Sequence, residues 1–230
     1  MKASSRMPMA GLEHVFRRIP GEGWLILAGA VPELGGGTAD LMERLLERLD
    51  LSRPIVAMAA ADSDLTEVNE LLESLEEWLG AEAGYLELDT DLGVEGWEDS
   101  GLLILVGDDP EVWIDALRGE SVERLRRALL DGTIILAVGG AGRAFGTLVV
   151  SAIHGEALVP ALNWIPETTV VADAAQAGSE IVRSWLQDDE PRLALLLQPS
   201  SILALGPEQK VERWGQAPPE IILGTGWGKG

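Results

Sequence analysis

Four short runs in this chain are apolar almost without interruption: residues 24–28 (Trp-Leu-Ile-Leu-Ala), 54–60, 102–106 and 133–138. A strand with one solvated face alternates polar and apolar side chains, so a run without alternation belongs to a strand covered on both faces, as in a parallel sheet. Parallel neighbours cannot be joined by a tight turn; each connection needs a crossover of roughly a dozen residues or more. The intervening sequence has that length and a helical period. Leu41, Leu45, Leu46 and Leu49 share one face behind Gly35-Gly36-Gly37 and Thr38, a good N-cap. Residues 64–79 align Leu65, Val68, Leu71, Leu72, Leu75, Trp78 and Leu79 in the same way and leave an acidic face to solvent. The pattern selects an α/β fold, a three-layer sandwich around a mostly parallel sheet.

Further along, a short strand is expected at 85–88. Asp109-Pro110, a cap followed by a proline at the first helical position, opens helices over 112–117 and 122–130. Residues 141–152, with Ala144, Phe145, Leu148, Val149 and Val150 ahead of Ile153, are apolar nearly all round and predict a helix buried at the centre, where Gly146 permits close packing. A strand at 169–172 and a helix at 178–186 precede strands at 193–197 and 202–205, close enough in sequence to pair as a hairpin. Residues 1–20 have no clean period and read as an arm with one short helix over 12–18. Residues 21–223 form a single domain, and 224–230 a glycine-rich flexible tail. Trp24, Trp78, Trp113, Trp164 and Trp185 fall in apolar patterns and read as core. Trp214 and Trp227, in polar or glycine-rich surroundings, read as contact residues for a second subunit.

With 17 basic and 38 acidic residues the formal charge is -21. Phosphate backbones and anionic lipid are repelled, so nucleic acid and membrane surfaces are excluded as partners. The acidity serves solubility or, in the sharper reading, a polycationic ligand. Cysteine is absent, which removes disulfides, thiolate metal sites and cysteine nucleophiles together. His14 and His154 are far apart, so no transition metal and no cofactor are expected, and calcium or magnesium on carboxylates is the metal alternative left open. No apolar run approaches the roughly 18 residues that span a bilayer, and Lys2 and Arg6 lead into no apolar leader segment. A soluble cytoplasmic protein is the expectation. Gly140, Gly142 and Gly146 fail the dinucleotide spacing, because the third glycine position holds Phe145, and Gly35-Gly36-Gly37-Thr38 lacks the lysine of a phosphate loop.

The order of segments from Leu102 to Leu186 resembles that of the peptidase S51 family, the cyanophycinase and dipeptidase E branch of the class I glutamine amidotransferase-like fold, itself related to flavodoxin. Residues 102–109, Leu-Leu-Ile-Leu-Val-Gly-Asp-Asp, are similar to the family's apolar strand ending in a Gly-Gly-Asp turn, with Val106 in place of one glycine. Val138-Gly139-Gly140-Ala141-Gly142 resembles the nucleophile elbow, Gly-Thr-Ser-Ala-Gly-Ala, with Gly140 in the serine slot. Val171-Ala172-Asp173-Ala174-Ala175 corresponds to the strand end that carries histidine, with Ala174 in that slot, and the acidic triad member falls near Gln198. Leu27-Ala28-Gly29-Ala30 resembles the family's opening strand end, so the likeness spans residues 23–206.

The resemblance implies a degenerate member without its catalytic triad, in which serine hydrolysis is lost and the pocket at the strand ends survives. Gly107, Asp108, Asp109, Gly140, Ala141 and Arg143 are its candidate ligand-binding residues, for a small carboxylate or a peptide. A cation such as Arg143 in the first turn of a helix opposes the macrodipole unless an anion sits nearby. Asp108 supplies that anion in one reading; in the other, Arg143 binds an anionic ligand. Gly140 is expected in a tight turn with a backbone angle that a side chain would resist. Ser151 and His154, three apart on the expected helix, are an outside pair for a relocated nucleophile and base, and an active S51-type hydrolase of acidic or amide-containing peptides is the alternative function. The family implies a homodimer; a hetero-oligomer with another protein is the other assembly expected.

Overall fold

The computed structural model describes residues 15–32, 39–60, 63, 65–80, 83–87, 97–151, 153–154 and 157–228. Gly35, Gly36, Gly37, Thr38 and the greater part of the N-terminal segment lie outside them. The apolar runs form strands β1 (Trp24–Ala28), β2 (Ile55–Ala59), β4 (Leu102–Gly107) and β5 (Ile134–Gly139), all parallel, with β3 (Ala83–Glu87) at one edge. The crossovers hold α1 (Ala39–Leu46), α2 (Leu65–Leu79), α3 (Pro110–Ala116) and α4 (Glu120–Leu130). Residues alternate between two cores along each strand. Ile26, Ile104 and Leu136 pack on α1 and α2, while Leu25, Leu103 and Ile135 pack on the opposite side with Trp113, Leu125 and Leu129.

Two expectations change. The centre of the domain is not a helix over 141–152: α5 is only Gly140–Arg143, and β6 (Leu148–Val150) follows. A Cβ on Gly146 would lie 2.8 Å from the Thr168 carbonyl, so this glycine presses the chain against the neighbouring strand, and the β-branched Thr147, Val149 and Val150 favour extended backbone. With β7 (Leu158–Pro160), β8 (Thr168–Val171), β9 (Leu193–Leu196) and β12 (Glu220–Leu223), β6 builds a second sheet in the order β12-β9-β8-β6-β7. Helices α6 (Ala174–Ala177) and α7 (Glu180–Leu186) cover its outer face.

The second change concerns β9 and β10 (Ile202–Leu205), which do not pair with each other. β10 joins the seven-stranded sheet, antiparallel to β1 and to β11 (Val211–Arg213), in the order β11-β10-β1-β5-β4-β2-β3. Each strand is apolar and buried along its whole length, and each finds neighbours on both sides only in separate sheets.

Several packing details also depart from the pattern. Trp78 is 59% exposed, outside the core expected for it. Trp214 is 2% exposed and stacks on Trp24 at 5.5 Å, with the Arg48 guanidinium over both rings at 5.3 and 4.9 Å. Its indole donates to Glu212, which also accepts from Arg44 and Arg48, so Trp214 is an internal staple and not a subunit contact. Trp227 is half-buried and donates to the Arg192 carbonyl. Val15 and Phe16 are buried in the core. Arg18 is buried beside them and forms no carboxylate salt bridge among the described residues; it donates to the carbonyls of Gly206, Ile19, Gly21 and Gly23. Burial lowers its pKa, which Glu22 partly opposes.

Candidate functional site

Strands β4 and β5 end side by side, with Gly107 in register with Gly139. Beyond Gly107, Asp109 caps α3 by accepting the Glu111 amide at 2.9 Å, with Pro110 in the first turn. Beyond β5 the backbone turns at Gly139, with φ 62° and ψ -122°, straight into α5. The left-handed angle expected at Gly140 therefore belongs to its neighbour. Gly140 is restricted for a different reason: a Cβ there would lie 2.8 Å from the Asp109 nitrogen and closer still to the Asp108 carbonyl. A Cβ on Gly139 would point toward the Gly107 carbonyl at 3.1 Å and the Asp108 Oδ1 at 3.4 Å. The strand-turn-helix is thus an elbow whose apex carries no side chain, beneath the Asp108 carboxylate.

A cavity of about 570 Å³ opens at these strand ends. Asp108, Asp109, Pro110 and Arg143 line one side; Val150, Ser151, Asp173, Ala175, Gln176 and Ser179, from the second sheet and its helices, line the other. Three segments singled out in the sequence, at 107–109, 139–143 and 173–175, meet here. Gly107, Gly140 and Ala141 are buried and do not line the cavity. Ala174 opens α6, but its neighbour Ala175 is the lining residue. Gln198 is not brought to the site: its carbonyl packs against Gly29 and accepts the Ser201 amide at 2.8 Å.

Arg143 donates to the main-chain carbonyl of Asp108. Ser151 and His154 are not on a helix. They belong to the turn after β6, where the Ser151 hydroxyl accepts the His154 amide at 2.9 Å and the imidazole faces Glu111 at 3.8 Å. Among the described residues, no group of three or more His, Cys, Asp or Glu side chains could hold a metal ion, and no helix is long and apolar enough to cross a membrane.

Asp173, Gln176 and Ser179 were missed as lining residues. All three are cap residues: Asp173 accepts the Gln176 amide at 2.7 Å, the Gln176 side chain accepts the Ala172 amide at 2.8 Å, and Ser179 caps α7. The reciprocal spacing of Asp173 and Gln176 resembles a capping box, which was the legible signal.

No protein-family model matches this sequence, and no curated protein is significantly similar to it. Among solved structures, a peptidase from an acI-B1 actinobacterium superimposes with a TM-score of 0.61 at 16% identity, covering 90% of this chain and 97% of that one. A putative peptidase E protein from Listeria monocytogenes EGD-e gives 0.53 at 11% identity, covering 85% and 99%. This chain has the peptidase E-like fold. Open α/β sheets bind ligands outside the carboxyl ends of their strands, and the cavity, lined by Asp108 and Asp109 just beyond β4, stands at that edge.

Proposed function

We propose that this protein is a non-hydrolytic relative of the peptidase E-like enzymes, acting as a binding or partner-regulating subunit through the cavity at the ends of β4 and β5. One observation carries the reading: the elbow residue is Gly139, so the turn that would hold a hydroxyl above the sheet holds nothing. A nucleophile elbow works by fixing one oxygen near amide donors that stabilise an oxyanion. Without that oxygen the turn offers only backbone beside the cavity. Among the described residues the cavity's lining includes no histidine, and the two serines described there are both acceptors of main-chain amides, Ser151 from His154 and Ser179 from Val182. Serine activation needs a base within hydrogen-bond reach, whereas His154 is turned to Glu111. Loss of a nucleophile alone costs several orders of magnitude in rate.

A fluorophosphonate probe followed by peptide mass spectrometry tests the reading. The expected result is no labelled serine, together with no release of amino acids from aspartate-containing dipeptides. A labelled Ser151 would make the protein an active serine hydrolase with a relocated nucleophile and overturn the proposal.

A further inference from the structure

The tryptophans of this chain share a mode of packing. The Arg48 guanidinium lies over Trp24 and Trp214, Arg124 over Trp97, and Arg192 over Trp185, with 4.9 to 5.3 Å between the guanidinium carbon and the ring centroid. Each of these arginines is ion-paired at the same time: Arg48 with Glu47 and Glu212, Arg124 with Glu98, Arg192 with Asp188 and Glu190. Ring and carboxylate together hold the guanidinium, the ring through its π face and the carboxylate by accepting charged N–H groups.

Trp78, in the last turn of α2, presents the ring and the carboxylates without the arginine. It is 59% exposed, and among the described residues no cation stacks on it. Glu70, Glu73 and Glu77 are exposed on the adjoining stripe of the helix, and none of them is ion-paired among the described residues. α2 itself carries no Lys or Arg. The arrangement works against the helix, because like charges three and four residues apart repel and Glu77 meets the negative end of the macrodipole. A guanidinium seated on the ring relieves both. Glu70 and Glu77 stand about 10 Å apart along the helix axis, the distance covered by about three residues of an extended chain.

We propose that this face of α2 docks an extended, arginine-bearing segment of a partner protein. One guanidinium stacks on Trp78 and pairs with Glu77; a second, three residues away, pairs with Glu70 and Glu73. The surface is independent of the cavity and of the non-hydrolytic reading. Calorimetry on the full chain at about 0.1 M salt, where surface charges are screened beyond about 10 Å, tests it with end-capped peptides built on an Arg-Gly-Gly repeat. The arginine peptide should bind saturably and about threefold or more tightly than a lysine counterpart, whose ammonium has no planar face to stack. A citrulline counterpart, similar in shape and uncharged, should not bind. Trp78→Ala leaves the net charge unchanged and should weaken the arginine peptide about three- to tenfold, and Glu77→Gln about threefold. Equal affinity for arginine and lysine peptides, or full affinity in Trp78→Ala, would reduce the contact to the attraction of any cation for a chain of net charge -21 and overturn the proposal. The absence of saturable binding would overturn it as well.

Discussion

Gly139 and Gly140 are adjacent, and a side chain is disfavoured at each for a separate reason. At Gly139 the obstacle is the left-handed backbone, with nothing closer to a Cβ than 3.1 Å; at Gly140 it is the main chain of Asp108 and Asp109. Holding a non-glycine residue in a sparsely populated conformation costs about 1–3 kcal/mol. Forcing a methyl into closed packing costs a similar amount and also moves the backbone it meets. Urea unfolding of Gly139→Ala should show a loss of about 1–2 kcal/mol. Gly140→Ala should lose more, about 3 kcal/mol, because the cap at Asp109 shifts with it. The reverse order would place the elbow at Gly140 after all. The sequence located this turn to within one residue. Gly139-Gly140-Ala141-Gly142 offers two glycines to one slot, and only the register of Gly107 with Gly139 says where the strand ends. The pairing of Arg143 with Asp108 is legible in the sequence, but its contact is with a main-chain carbonyl, which no side-chain pattern encodes.

At the scale of elements, the parallel strands and the helices α2, α3 and α4 were legible because uninterrupted apolar runs and 3.6-residue periods have few other readings. The segment 141–152 was not. A stretch apolar on every side suits a buried strand as well as a buried helix, and here the close approach of Gly146 to Thr168 decides for the strand. Neighbours in sequence do not fix where a tryptophan packs: Trp78 sits in a leucine-rich helix yet faces outward, while Trp214 sits among polar residues and is buried by α1 and β1. The staple of Trp24, Arg48, Trp214 and Glu212 holds α1 against the antiparallel edge of the main sheet. Trp214→Ala should therefore cost about 3–5 kcal/mol in denaturant unfolding. Trp78→Ala should stay within about 0.5 kcal/mol, as surface substitutions do.

At the scale of the whole molecule, a formal charge of -21 acts against compactness, because like charges held on one surface repel. Added salt screens that repulsion over a Debye length of about 10 Å at 0.1 M. The melting temperature should accordingly rise by a few degrees between about 10 and 200 mM sodium chloride, read by near-ultraviolet circular dichroism; a fall would mean that ion pairs such as those of Glu212 outweigh the repulsion. The α/β class was legible in the sequence, whereas the division into two sheets was not, since it depends on which distant segments meet. Leu25 is paired with Leu205, 180 positions later. During synthesis the outer edge of β1 therefore waits for almost the whole described chain to leave the ribosome before its neighbour arrives. For that interval an apolar strand presents an unpaired edge, the state in which nascent chains attract chaperones or one another.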